Sequence, residues 1–262
     1  MPREVIDDRF IGALHLRALT HEGLMHESAE THRAIQTGTL NELMSGDYEG
    51  NTTIGDLLRL GSDGIGTIQY LDGELIITEG KAFSARADGS ILALTPDQKT
   101  PFAVVTLFEV DTEATIGECD YEQLLTQIDT LSPDGASIMA VRIHGSFRDL
   151  HLRSVHKQER PFKPLHEVVE DQTEWFIAEG EGTVVGFRFP DPIAGIEVPG
   201  WHLHFLSKDR KHGGHIMSLA VTSARVELDR CEDLHVELPS GHVLGQIGKA
   251  DREMIRNIEG AN

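Results

Sequence analysis

Cysteine is nearly missing. The 262 residues hold two, Cys119 and Cys231, in no Cys-x-x-Cys pair. That excludes a disulfide framework and a thiolate zinc site, and it suits a reducing compartment. Basic charge is also short: 23 Lys and Arg face 43 Asp and Glu, for a formal net charge of −20. Nucleic acid and anionic membranes would be repelled by such a surface. No apolar run approaches the roughly 20 residues that cross a bilayer. The opening "MPREVIDDRF" carries acid where a signal peptide needs a basic end and an apolar core. The expectation is a cytoplasmic protein, in which a pocket that holds an anion needs a local cation.

Within this frame two kinds of signal alternate. Thr39 with Glu42 and Thr53 with Asp56 have capping-box spacing and mark two short helices, with Gly46 and Gly61 near their ends. From Gly64 to Val110 the pattern is of strands, "GTIQYL", "ELIIT", "KAFSARA", "SILAL" and "PFAVVTLFEV", punctuated by Asp72-Gly73, Glu79-Gly80 and Asp88-Gly89. Asp120 caps an amphipathic helix whose apolar residues are Tyr121, Leu124, Leu125 and Ile128. After the turn "SPDGAS" strands return, interrupted by a helix expected from about Pro164 to Ala178, and a polar helix is expected near 249–259. The fold class is α+β, two packed lobes dominated by mixed or antiparallel β-sheet, with a metal site on a β-hairpin of the second lobe. The expected division is a variable N-terminal extension over 1–30, an α/β lobe over 31–135 and a β-rich metal-binding lobe with a terminal helix or tail over 136–262.

The densest chemistry lies in "VPGWHLHFLSKDRKHGGHIMS", residues 198–218, with four histidines. On a strand, His202 and His204 share one face while Leu203 and Phe205 take the other. The two imidazoles then stand about 7 Å apart along the strand. A hairpin centred between Asp209 and Arg210 sets His204 opposite His215, with Cβ atoms ~5 Å apart. His212 has the wrong parity. Three neutral nitrogens would hold a metal with a position left open, the arrangement of a catalytic site. Nitrogen ligation alone does not choose zinc over iron, nickel or manganese. The plain alternative is a row of polar-face histidines touching water.

A site that handles an acid would add a carboxylate and a cation. Glu74 heads a strand after a turn glycine, Arg153 shares a strand face with His151 opposite Leu150 and Leu152, and Glu259 lies near the chain end. Each also fits an ordinary exposed position, and residue chemistry alone does not single them out.

Longer motifs do. "TIGDLL", "LDGEL", "ADGS", "PDQKTPFAVVT", "KQERPFKPLHEV", "GTVVGFR" and "VPGWHLHFLSKDRKHGGHI" occur in one order from about residue 35 onward. In these the chain resembles the α-acetolactate decarboxylase family. The resemblance implies zinc held by His202, His204 and His215, with Glu74, Arg153 and Glu259 as catalytic residues, Glu253 being a poorer counterpart of the last. It implies conversion of (S)-2-acetolactate to (R)-acetoin and CO2 in acetoin and 2,3-butanediol biosynthesis, by a homodimer. The first 30 residues depart from the family pattern, as do Trp201, where tyrosine is usual, and "DPIAG". Two alternatives stay open on the residues themselves. One is a cupin-like metal-dependent oxygenase, with Asp209 five residues after His204. The other is a non-enzymatic metal- or metabolite-binding protein.

Overall fold

Alternating apolar residues make most of this chain strand. The computed structural model describes residues 4–238 other than 133, 134, 136 and 194. In its first half the strands are β1 (Val5–Ile11), β2 (Leu14–Leu19), β3 (Arg33–Thr37), β4 (Thr52–Thr53), β5 (Asp63–Thr67), β6 (Glu74–Thr78), β7 (Lys81–Ala85), β8 (Ile91–Ala93), β9 (Lys99–Thr100) and β10 (Phe102–Thr106). The second half adds β11 (Thr112–Ile116), β12 (Cys119–Asp120), β13 (Ile138–Ser154), β14 (Thr173–Phe189), β15 (Gly200–Ser207), β16 (Gly213–Cys231) and β17 (Asp233–Glu237). Short helices α1 (His21–Met25), α2 (Leu40–Met44), α3 (Ile54–Leu60), α4 (Tyr121–Leu131) and α5 (Leu165–Val168) complete the described chain.

Two sheets pack face to face. The larger has nine strands in the order β1-β2-β17-β3-β10-β5-β6-β7-β8, and the smaller runs β11-β16-β13-β14-β15. Strand parity divides the core into layers. Ile65, Val104, Leu234 and Val236 of the first sheet meet Ile138, Ala140, Val185 and Phe187 of the second. Beyond the first sheet, Leu57 and Leu60 of α3 cover Ile35, Leu75 and Ile77. Beyond the second, Leu124 and Ile128 of α4 cover Phe147, Leu203 and Phe205. Each wholly buried side chain of this size contributes about 1.5–3 kcal/mol.

The capping boxes at Thr39, Thr53 and Asp120 are all formed. Other expectations need correction. The helix from Pro164 to Ala178 shrinks to α5 and one 3-10 turn, Val169–Asp171. Leu165, Val168 and Val169 keep helical spacing, but from Thr173 burial alternates, with Trp175 and Ile177 turned inward between exposed Glu174, Phe176 and Ala178. That period belongs to a strand, and β14 pairs with β13 along this whole length. "GTIQYL" ends as a strand at Thr67, because Tyr70 and Leu71 adopt left-handed φ of 65° and 57° in a 3-10 turn. Within 1–30, taken as an extension, β1 and β2 join the first sheet and bury Leu14 and Leu16 completely. The helix expected at 249–259 lies outside the described residues, as do Glu253 and Glu259.

Candidate metal centre

On β15, Leu203 and Phe205 point to α4, so His202 and His204 point between the sheets. β16 turns back against β15 with His204 paired to His215, Phe205 to Gly214 and Leu206 to Gly213. The hairpin is closed by Ser207, whose N–H donates to the His212 carbonyl at 2.8 Å and whose hydroxyl donates to Asp209 at 2.7 Å. Gly214 has φ +149°, and a Cβ there would lie 2.8 Å from the Arg153 carbonyl oxygen. Glycine is therefore what lets His215 approach β13.

The three histidines are buried, at 8, 0 and 4% exposure for His202, His204 and His215. One ligand atom from each lies within 4.8 Å of the others. His202 Nε2 and His204 Nε2 are 3.2 Å apart, close to the roughly 3.3 Å that two nitrogens would adopt on one tetrahedral zinc. His204 Nδ1 is 2.9 Å from the Leu75 carbonyl oxygen. A carbonyl only accepts, so Nδ1 carries the proton and Nε2 offers its lone pair. Burial, aided by the Arg153 charge, pushes His202 down to about 3, so its ring is neutral at any physiological pH. Buried, neutral and convergent nitrogens are the donor set that a zinc-class ion needs.

Glu74 begins β6 opposite Thr67 and has the parity of Ile76, which packs against Leu206 of the second sheet. Its Oε2 stands 3.6 Å from His204 Nε2. Arg153 pairs with His215 on one side and Glu174 on the other, is 5% exposed, and donates from Nη1 to Gln172 Oε1 at 2.8 Å. Glu74, Arg153, His202 and His215 line one pocket of about 550 Å³, counting its open mouth. The rest of the wall is mainly apolar, with Leu43, Leu71, Phe102, Val155, Leu165 and Val198 among its residues. The "KQERPFKPLHEV" segment supplies part of that wall and is tied down where Lys163 accepts from the Tyr48 hydroxyl at 2.9 Å.

The remaining expectations separate. His212 is exposed at the turn, as its parity requires. Asp209 is committed to that turn with its side chain 55% exposed, so it is not the carboxylate that a cupin-like site needs. Trp201 faces away from the pocket and donates to Asp129 at 3.0 Å. A second grouping, His32 with Asp111 and Asp229, lies apart from the pocket. The Leu75 carbonyl and Gln172 were missed from sequence: a backbone acceptor has no side-chain signature, and Gln172 was assigned to a helix.

Fold and pocket define a protein of two large packed sheets with a buried three-histidine cluster, an adjacent arginine and an apolar wall. The family model described as alpha-acetolactate decarboxylase matches residues 35–246. The alpha-acetolactate decarboxylase of Methylococcus capsulatus is 38% identical over 239 residues, covering 89% of this chain and 90% of that one. That of Klebsiella aerogenes is 39% identical over 206 residues, covering 78% and 79%. The crystal structure of the Bacillus subtilis alpha-acetolactate decarboxylase superposes with a TM-score of 0.82 at 29% identity, covering 87% of this chain and 100% of that one. The chain belongs to the alpha-acetolactate decarboxylase family, whose members are carboxy-lyases.

Proposed function

We propose that this protein decarboxylates (S)-2-acetolactate to (R)-acetoin and CO2 with zinc as its metal, in acetoin and 2,3-butanediol biosynthesis. The observation that carries the proposal is the convergence of three buried histidines, His202 held neutral by its burial, beside Arg153 at a mainly apolar pocket. A zinc ion held by His202, His204 and His215 would act as a Lewis acid toward the charge that develops on the substrate ketone oxygen.

The chain's own residues then divide the work. Arg153 holds the substrate carboxylate with its planar fork of donors, against the field of an acidic protein. Leu43, Leu71, Val155 and Leu165 accommodate the two methyl groups and exclude water. When the bond from C2 to the carboxylate breaks, its electron pair moves into the ketone and leaves an enediolate. Protonation at C2 completes acetoin. Arginine, with a pKa above about 12, is a weak proton donor. We assign delivery of the proton to Arg153 acting with Glu74 or a water, and keep Glu259 as a further carboxylate of the site. One walled pocket supports delivery to one face and hence one enantiomer.

The test is metal analysis of the purified protein beside an assay of acetoin and CO2. About one zinc per chain and acetoin release are expected. A metal-saturated sample that releases neither product overturns the proposal, and metal binding without turnover would favour a binding protein.

A further inference from the structure

A long arginine side chain orients a substrate only when its own fork is held in one place. Arg153 and His151 share one face of β13, while Gln172, just before β14, and Glu174, within it, stand beside them, with Arg153 paired to Glu174 and His151 to Phe176. The four polar groups form one chain of contacts. Arg153 Nη1 donates to Gln172 Oε1 at 2.8 Å. Gln172 Nε2 donates to Glu174 Oε1 at 2.7 Å. Glu174 Oε2 is 2.8 Å from His151 Nε2, and the His151 ring stacks on Phe176 with centroids 4.2 Å apart.

The chain has a direction. A carboxylate accepts and cannot donate, so Glu174 compels the amide of Gln172 to turn its nitrogen outward and its oxygen toward Arg153. Glu174 itself is held below the usual carboxylate range, first by the Gln172 hydrogen bond and then by that of His151. The reversed amide would set NH2 against guanidinium, donor against donor.

We propose that Gln172 is a positioning residue for the decarboxylation, its amide oxygen fixing the Arg153 guanidinium and Glu174 fixing that amide. This rests on Arg153 being the group that binds the substrate carboxylate. Gln172 touches no reacting atom and acts only through Arg153.

Gln172→Leu preserves volume and removes the acceptor. Its expected effect is a roughly tenfold fall in kcat with KM changed by less than about twofold, since the ion pair with substrate survives while its geometry does not. Thermal stability should be unchanged. Glu174→Ala should lose less, and the double variant should be no worse than Gln172→Leu alone, because both act through one route. Wild-type kcat in Gln172→Leu, or losses that multiply in the double variant, overturn the proposal. A second readout is independent of turnover. In protein labelled with 15N-arginine, the Arg153 Nη signals, identified by their loss in Arg153→Lys, should be separate in the parent and averaged in Gln172→Leu. Averaged signals in both proteins overturn the proposal. Failure of the parent to release acetoin would remove the decarboxylase reading, and the resonance comparison would still decide whether Gln172 holds the guanidinium.

Discussion

His204 on β15 donates from Nδ1 to the backbone carbonyl of Leu75 on β6 at 2.9 Å. A strand of the larger sheet therefore sets the ring of a histidine carried by the smaller one. Metal binding should consequently depend on the docking of the sheets and not only on the hairpin that bears the ligands. His204→Ala and His215→Ala are each expected to reduce zinc to trace levels and acetoin release by at least about a thousandfold. Elemental analysis with the product assay checks this. Full zinc occupancy in either variant would remove that histidine from the ligand set.

Arg153→Ala should leave zinc content intact and lower kcat by about a hundredfold to a thousandfold. Arg153→Lys should recover only part of the loss, because a point charge does not replace a two-pronged donor. Equal loss of metal in Arg153→Ala and His204→Ala would contradict these separate roles.

Glu74 Oε2 lies 3.6 Å from His204 Nε2, at the edge of the pocket where Arg153 also reaches. Glu74→Gln keeps the shape and removes the charge. The expected result is a kcat lower by about a hundredfold in zinc-saturated protein, consistent with lost proton transfer. Unchanged kcat would exclude Glu74 from proton delivery.

Stability should carry a pH signature from Asp229. This side chain is wholly buried and burial pushes its carboxyl up to about 6, although the Glu109 N–H, His32 and the Thr106 hydroxyl all bond to it. An unfolded aspartate titrates near 3.9. Between about pH 4 and pH 6 the folded protein thus holds a proton that the unfolded chain has released. The contribution of this group is complete below about 4 and is lost as pH rises through 6. Asp229→Asn stays neutral throughout. The Tm of the variant minus that of the parent should become more positive from pH 4 to pH 6. A difference that is flat across this range would show that the buried carboxylate does not change its protonation there.

Much of the site was legible because strand parity is local. The spacing of His202, His204 and His215 places them on one face, and the turn between Asp209 and Arg210 sets the pairing that the hairpin adopts. Capping boxes at Thr39, Thr53 and Asp120 are equally local, and each formed. The failures involve context. At 164–178, three residues of helical spacing precede an unbroken apolar run, Trp175 to Ala178, whose inward and outward faces are set only when β13 lies beside it. In the N-terminal segment, Leu14, Leu16 and Ala18 do alternate, yet the neighbour that buries them, β17, is more than 200 residues away. Glu74 and Arg153 lie on different sheets, and their meeting is a property of sheet packing that no window of sequence contains.

The placement of β17 has a consequence for synthesis of the chain. It lies between β2 and β3 and runs parallel to both, so the β1–β2 hairpin joins the larger sheet only through a strand ending at Glu237. While the ribosome is still making the middle of the protein, the facing edges of β2 and β3 have no partner. These edges are openings for wrong association between nascent copies. The larger sheet therefore closes only once β17 has been made, and until then contacts local in sequence cannot satisfy these two edges.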